Sequence, residues 1–208
     1  MTRKSVLYVL ILTVFSCLSP EKKMLGIADT HIDSKIAKLL VEGGMLHLLV
    51  LAPKELSVTN CSFSDEIFEA ILKQSNASLE SQFLNLHGSH ANFALVDRSN
   101  LGYVLEEIKI QSQGLTSGQT AKIGKMTGAN YLVVSSATLS CSSDNRELTH
   151  NGNSKLIRID TSTTEALDVT KLILTFDEEK RDFLFKKGFV NGRLVTYDKD
   201  RDHYLWAE

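Results

Sequence analysis

Several short stretches carry residue types that do chemistry elsewhere. Gly118 to Lys125 reads Gly-Gln-Thr-Ala-Lys-Ile-Gly-Lys and approaches a phosphate-binding loop. Five residues separate its glycines where four are needed, and Met126 stands where a magnesium-ligating Ser or Thr is required. Nucleotide binding is not expected. His87 and His90 put two imidazoles on one short segment, with no cysteine or carboxylate within a few residues. Zinc normally takes three or four protein ligands, so no metal is expected. Asp97 and Ser99 with a distant histidine would make a nominal triad. Asp97-Arg98-Ser99 reads more simply as strand exit, ion pair and helix cap. Asp177-Glu178-Glu179 runs straight into Lys180-Arg181-Asp182, a mixed charge run that suits a solvated turn. No catalytic constellation remains, so the chain is expected to be non-enzymatic and to need no cofactor.

The elements around these residues are clearer than the residues themselves. Phe93, Leu95 and Val96 form a short apolar run that suits a buried strand. Ser99 is a good N-cap, and Leu101, Val104, Leu105 and Ile108 follow at helical spacing. Ser117 is expected to cap a shorter helix, with Gly128 at its C-terminus, where positive φ is tolerated. Tyr131 to Val134 is a continuous apolar run, as in a strand covered on both faces. Upstream, Ser34–Val41 reads as a helix with Ile36, Ala37, Leu39 and Leu40 inward. Leu46–Leu51 reads as a strand, and Ser64 as the cap of a helix carrying Ile67, Phe68, Ile71 and Leu72. Residues 75–92 are polar and read as a loop. Lys155–Asp160 and Ala166–Phe176 read as strands around a turn at Thr161–Glu165. Asn191-Gly192 between apolar pairs is a type I′ hairpin signal.

The N-terminus points to export. Arg3 and Lys4 precede an apolar segment, Val6 to Phe15, that suits a signal peptide and is too short to span a bilayer. Ser16-Cys17 then resembles the end of a lipobox, making Cys17 the expected lipidation site. The net charge is −2, and losing Arg3 and Lys4 makes it more negative, which argues against nucleic acid. Cys61 and Cys141 each follow a predicted strand. They pair as a disulfide if those strands are parallel neighbours; with strand order unknown, two free thiols are the favoured reading.

The strings Val96-Asp97-Arg98-Ser99-Asn100-Leu101, Leu105-Glu106-Glu107, Ala121-Lys122-Ile123-Gly124-Lys125 and Gly128-Ala129-Asn130-Tyr131 resemble the core of the CsgG-type curli assembly family. The resemblance is dense from 93 to 136 and covers roughly residues 33–170. LpoB-like periplasmic lipoproteins share the fold. It implies an α/β domain: a small mixed β-sheet with helices packed on it, plus a C-terminal hairpin. The expected organisation is a signal peptide over 1–17, a linker over 18–32 and one domain over 33–208. Asp97, Arg98, Ser99, Gly124 and Gly128 are its structural motif.

The resemblance also implies an outer-membrane lipoprotein facing the periplasm and acting by protein–protein contacts in envelope assembly or secretion. Its membrane contact would be the lipid anchor and its partner an envelope protein; homo-oligomerisation stays open. In that setting Asn60-Cys61-Ser62 and Asn76-Ala77-Ser78 are coincidental sequons. The family's channel-forming members each add two membrane hairpins. Leu139–Asn153 reads as too short and polar for one. The other place has arms of about five residues, Leu172, Leu174 and Phe176 against Phe183 and Phe185, short of the about 9–11 a membrane strand needs. That segment is expected to bind a partner instead. A secretion-channel subunit is the alternative reading, and a peptidoglycan-synthase activator a further one. Against the activator, the linker spans at most ~50 Å.

Overall fold

The computed structural model describes residues 30–51, 57–63, 65–97, 115–177, 182–198 and 203–206. It is a nine-stranded mixed sheet with helices on both faces, the α/β class read from the sequence. In chain order the elements are α1 (His31–Val41), β1 (Leu46–Leu51), β2 (Ser57–Thr59), α2 (Asp65–His87) and β3 (Phe93–Leu95). There follow α3 (Ser117–Thr127), β4 (Tyr131–Cys141), β5 (Glu147–Arg158), β6 (Thr163–Asp177), β7 (Asp182–Val190), β8 (Arg193–Asp198) and β9 (His203–Trp206). The strand order is β3-β1-β4-β5-β6-β7-β8-β9, with β2 also paired to β4. β3, β1 and β4 run parallel; from β4 to β9 every pair is antiparallel.

The parallel half follows the apolar runs. Leu46, Leu48 and Val50 of β1 and Tyr131 and Val133 of β4 point to the front face, where Ile32, Ile36 and Leu40 of α1 and Phe83 of α2 cover them. Leu49, Leu51 and Leu132 point to the back, against Ile123 of α3. Burial on both faces explains why neither strand alternates. The front continues along β4–β8 as Leu139, Leu148, Leu172, Leu174, Val190 and Val195, beneath Phe68 and Ile71 of α2.

Helix ends are set by specific groups. Thr116, not Ser117, caps α3, in a reciprocal capping box with Gln119. Gly128 closes the same helix at φ 71°, as expected. Gly124 has a packing role: a Cβ there would run into the Ile159 side chain. Thr30 caps α1, and the buried Asp168 of β6 adds to that cap. The backbone N–H groups of His31 and Ile32 donate to its two carboxylate oxygens at 2.8 and 3.0 Å. Free first-turn amides and the positive end of the helix dipole thus meet a carboxylate from a strand. Asn191 Nδ2 donates to the same carboxylate at 2.7 Å, tying in the β7–β8 turn. That turn has positive φ at both Asn191 and Gly192, as a type I′ turn requires.

Three further expectations change. Residues 75–87 are helix, not loop: α2 runs 23 residues, and Phe83 and His87 are buried. The polar run from Gln74 to Ser78 hides the periodicity that resumes beyond it. The second change is that Leu139–Asn153 is a long antiparallel hairpin rather than a short link. β4 and β5 pair from Tyr131↔Arg158 to Cys141↔Leu148. Finally, the β6–β7 arms are longer than five residues, pairing from Thr170↔Val190 to Asp177↔Asp182. At the β5–β6 turn Ser162 takes a left-handed position (φ 55°), which glycine adopts more readily.

Candidate binding surface

The structure brings together one predicted pair. β2 lies beside β4 with Thr59↔Ser140 in register, which carries Cys61 to Cys141. The two form a disulfide with Cα atoms 4.9 Å apart. Strand order decides this, against the favoured free thiols. Cys17, Arg98 and Ser99 and the helix expected after Ser99 lie outside the described residues, and Asp97 is an exposed strand exit. Among the described residues no three His, Cys, Asp or Glu side chains gather where a metal ion would sit, and no helix is long and apolar enough to cross a membrane.

The proposed partner-binding segment is corrected. Leu172 and Leu174 are buried in the front core (4% and 1% exposed), and Phe176 and Phe185 pack partly buried against it. Phe176 also meets Phe63 at 5.1 Å between ring centroids. The side chain of Phe183 lies outside the described ones; its backbone pairs with Phe176. Leu172, Leu174, Phe176 and Phe185 thus belong to the core and its margin, so they are not a docking loop.

What faces solvent is the opposite side of the same strands. Period 2 puts Leu167, Val169, Lys171 and Ile173 of β6 on the back. Phe189 and Lys187 of β7 and Leu194 of β8 stand beside them. Leu167, Val169 and Leu194 are 41, 47 and 39% exposed. Lys155, Lys171 and Lys187 are exposed among them. Their cross-strand partners are uncharged: Val134 and Leu167 for Lys155, Asn151 and Phe189 for Lys171, Ile173 for Lys187. Toward β4 the face turns to Ser136, Thr138, Ser140, Thr149, Asn151 and Asn153. The alternation of 172–185, followed one residue further, marks the exposed set.

Charge on the front is neutralised internally. Lys35 of α1 pairs with Glu165 at 2.7 Å, and Arg158 Nε reaches the same carboxylate at 3.2 Å. The Lys35 hydrogen bond holds the Glu165 carboxyl below its usual range, with both cations adding. Arg158 also lies over the Tyr131 ring at 5.6 Å. Buried Asp33 of α1 and His87 of α2 approach to 3.8 Å.

His150 is the clearest titrating group. It sits between Leu139 and Leu172 across the ladder, and Gly152 leaves room for it. Burial lowers its pKa to about 4. The unfolded chain takes up this proton below about 6.5 while the folded one refuses it until about 4. The stabilising difference is therefore complete above about 6.5 and lost as pH falls to about 4, amounting to about 3 kcal/mol. Urea unfolding of wild type and His150→Phe should give stabilities that diverge through this window; parallel curves would remove His150 from the acid response.

Residues 57–139 match the family model of the curli production assembly/transport component CsgG. The match runs from β2 into β4, covers the dense part of the resemblance read in the sequence and agrees with it. Among solved structures, the chain is similar to the LpoB C-terminal domain from Salmonella enterica. That alignment has 16% identity and a TM-score of 0.41, over 65% of this chain and 90% of that one. It is likewise similar to the LpoB C-terminal domain from Escherichia coli, with 16% identity and a TM-score of 0.40, over 73% and 96%. No curated protein matches.

Proposed function

We propose that this chain is a non-enzymatic, lipid-anchored protein of the bacterial cell envelope that acts by protein–protein contacts in assembly or secretion. The CsgG match supports the envelope setting. Cys17 would carry the anchor, with an envelope protein as partner. The observation that favours docking over a pore is the covered front of β4–β8. Leu139, Leu148, Leu172 and Leu174 are at most 4% exposed, beneath Phe68 and Ile71 of α2. A membrane barrel strand needs one face for lipid and one for the lumen. Here one face is spent on the domain core, and the other mixes Ser, Thr, Asn and Lys with the apolar residues of β6–β8, so neither is a continuous lipid-facing band. β4, β5 and β6 are long enough to cross a bilayer, so it is their faces and not their length that disfavour a pore.

Purified full chain in planar bilayers should give no discrete conductance steps; reproducible steps would restore the channel-subunit reading. Mass spectrometry of the N-terminal peptide from native membranes should find diacylglyceryl on Cys17. An unmodified N-terminus starting elsewhere would remove the anchor from the proposal.

A further inference from the structure

Among the described residues no helix lies on the back of β5–β8, which combines an apolar band with lysines. Leu167, Val169, Phe189 and Leu194 make a diagonal apolar band from β6 to β8. Lys155, Lys171 and Lys187 surround it, none with an acidic partner across a strand. The other ends of this face differ: Lys186 pairs with Glu147, and Asp177 stands opposite Asp182 at the β6–β7 tip. Elsewhere the sheet is covered in the ordinary way, by α1 and α2 in front and α3 on the parallel half of the back. A sheet face with an apolar band is stably covered by a helix.

We infer that this face receives an acidic amphipathic helix of a protein partner. Its apolar stripe lies on Leu167, Val169, Phe189 and Leu194, and its flanking carboxylates meet Lys155, Lys171 and Lys187. The dimensions agree. Two strand spacings across and four residues along give a band of ~16 Å, which about three helical turns cover. The charge is complementary in one sense only, so a basic helix is rejected. The face lies beyond residues 57–139, the segment that matches the family model. The inference rests on the reading of the chain as one that works by protein contacts.

The test uses the full chain and a fluorescent 14-residue helical peptide with leucines on one face and glutamates flanking them, followed by anisotropy. Lys155→Glu/Lys171→Glu/Lys187→Glu and, separately, Val169→Ser/Leu194→Ser should each weaken binding at least tenfold. Lys73→Glu on α2 should leave it unchanged. A scrambled peptide of the same composition should bind at least tenfold more weakly. Circular dichroism of each variant checks that the fold survives, as expected for exposed positions. Equal binding by all variants overturns the inference. So does binding to phosphatidylglycerol-containing vesicles with the same lysine dependence and none to the peptide, which would make the face lipid-directed. A wild-type dimer that Leu194→Glu dissociates would make a second copy the occupant, and also overturns it. If the peptide fails while bilayers stay silent, the protein-contact reading stands without this surface.

Discussion

Replacing Cys61 and Cys141 together with serine is expected to lower stability by about 4 kcal/mol. The disulfide joins residues 80 apart in sequence. Closing a loop of that size removes conformational entropy from the unfolded chain worth about 4–5 kcal/mol, and native disulfides measure about 2–5. The native state loses little besides, because both sulfurs sit at the margin of the front core. Denaturant unfolding of the two proteins measures the difference. A reductant should bring wild type down to the double variant and leave the variant unmoved. A loss below about 1 kcal/mol, or equal sensitivity of both to reductant, would show that the bridge does not form in the folded protein.

The second large effect separates core from docking surface within one strand. Leu174→Ala should cost about 2–5 kcal/mol, because it empties a site that is 1% exposed between Leu148 and Phe185. Leu132→Ala, at 0% exposure on the other face, should cost as much. Val169→Ala, five residues from Leu174 and on the back, should change stability by less than about 0.5 kcal/mol. If Leu174→Ala proved as mild as Val169→Ala, the front-face assignment of β6 would be wrong and 172–185 would return as a binding loop.

The parallel half of this fold was legible because two-sided burial makes dense apolar runs. Leu46–Leu51 was bounded correctly, and Tyr131–Val134 marked the start of β4. The I′ turn at Asn191-Gly192 and the Gly128 cap were legible because each needs a backbone conformation few residues tolerate. The long antiparallel strands were not. Midway along β4 and β5 the front-facing residues are Ser135, Ala137, Gly152 and Ser154, which give the alternation no contrast. Pairing supplies what pattern lacked, since Ser135 and Ser154 hydrogen-bond across the ladder at 2.8 Å. The disulfide was undecidable for a different reason: it depends on which strands are neighbours, and that is a property of the whole sheet. The open face is marked only by lysines that alternate with the apolar residues of β6 and β7, a pattern that shows which side is solvated once the strands are paired.

The Asp168 contact also fixes how the domain bears load. Chain arriving from upstream enters at Thr30, and the next two backbone amides are held by a carboxylate on β6, which pairs there with Ser154 of β5. Tension on that chain would not peel α1 from its first turn. It would be shared with β5 through the ladder at Ser154, and with the β7–β8 turn through Asn191. A pull on that chain would act on the body of the sheet through Asp168 and not on a free helix end.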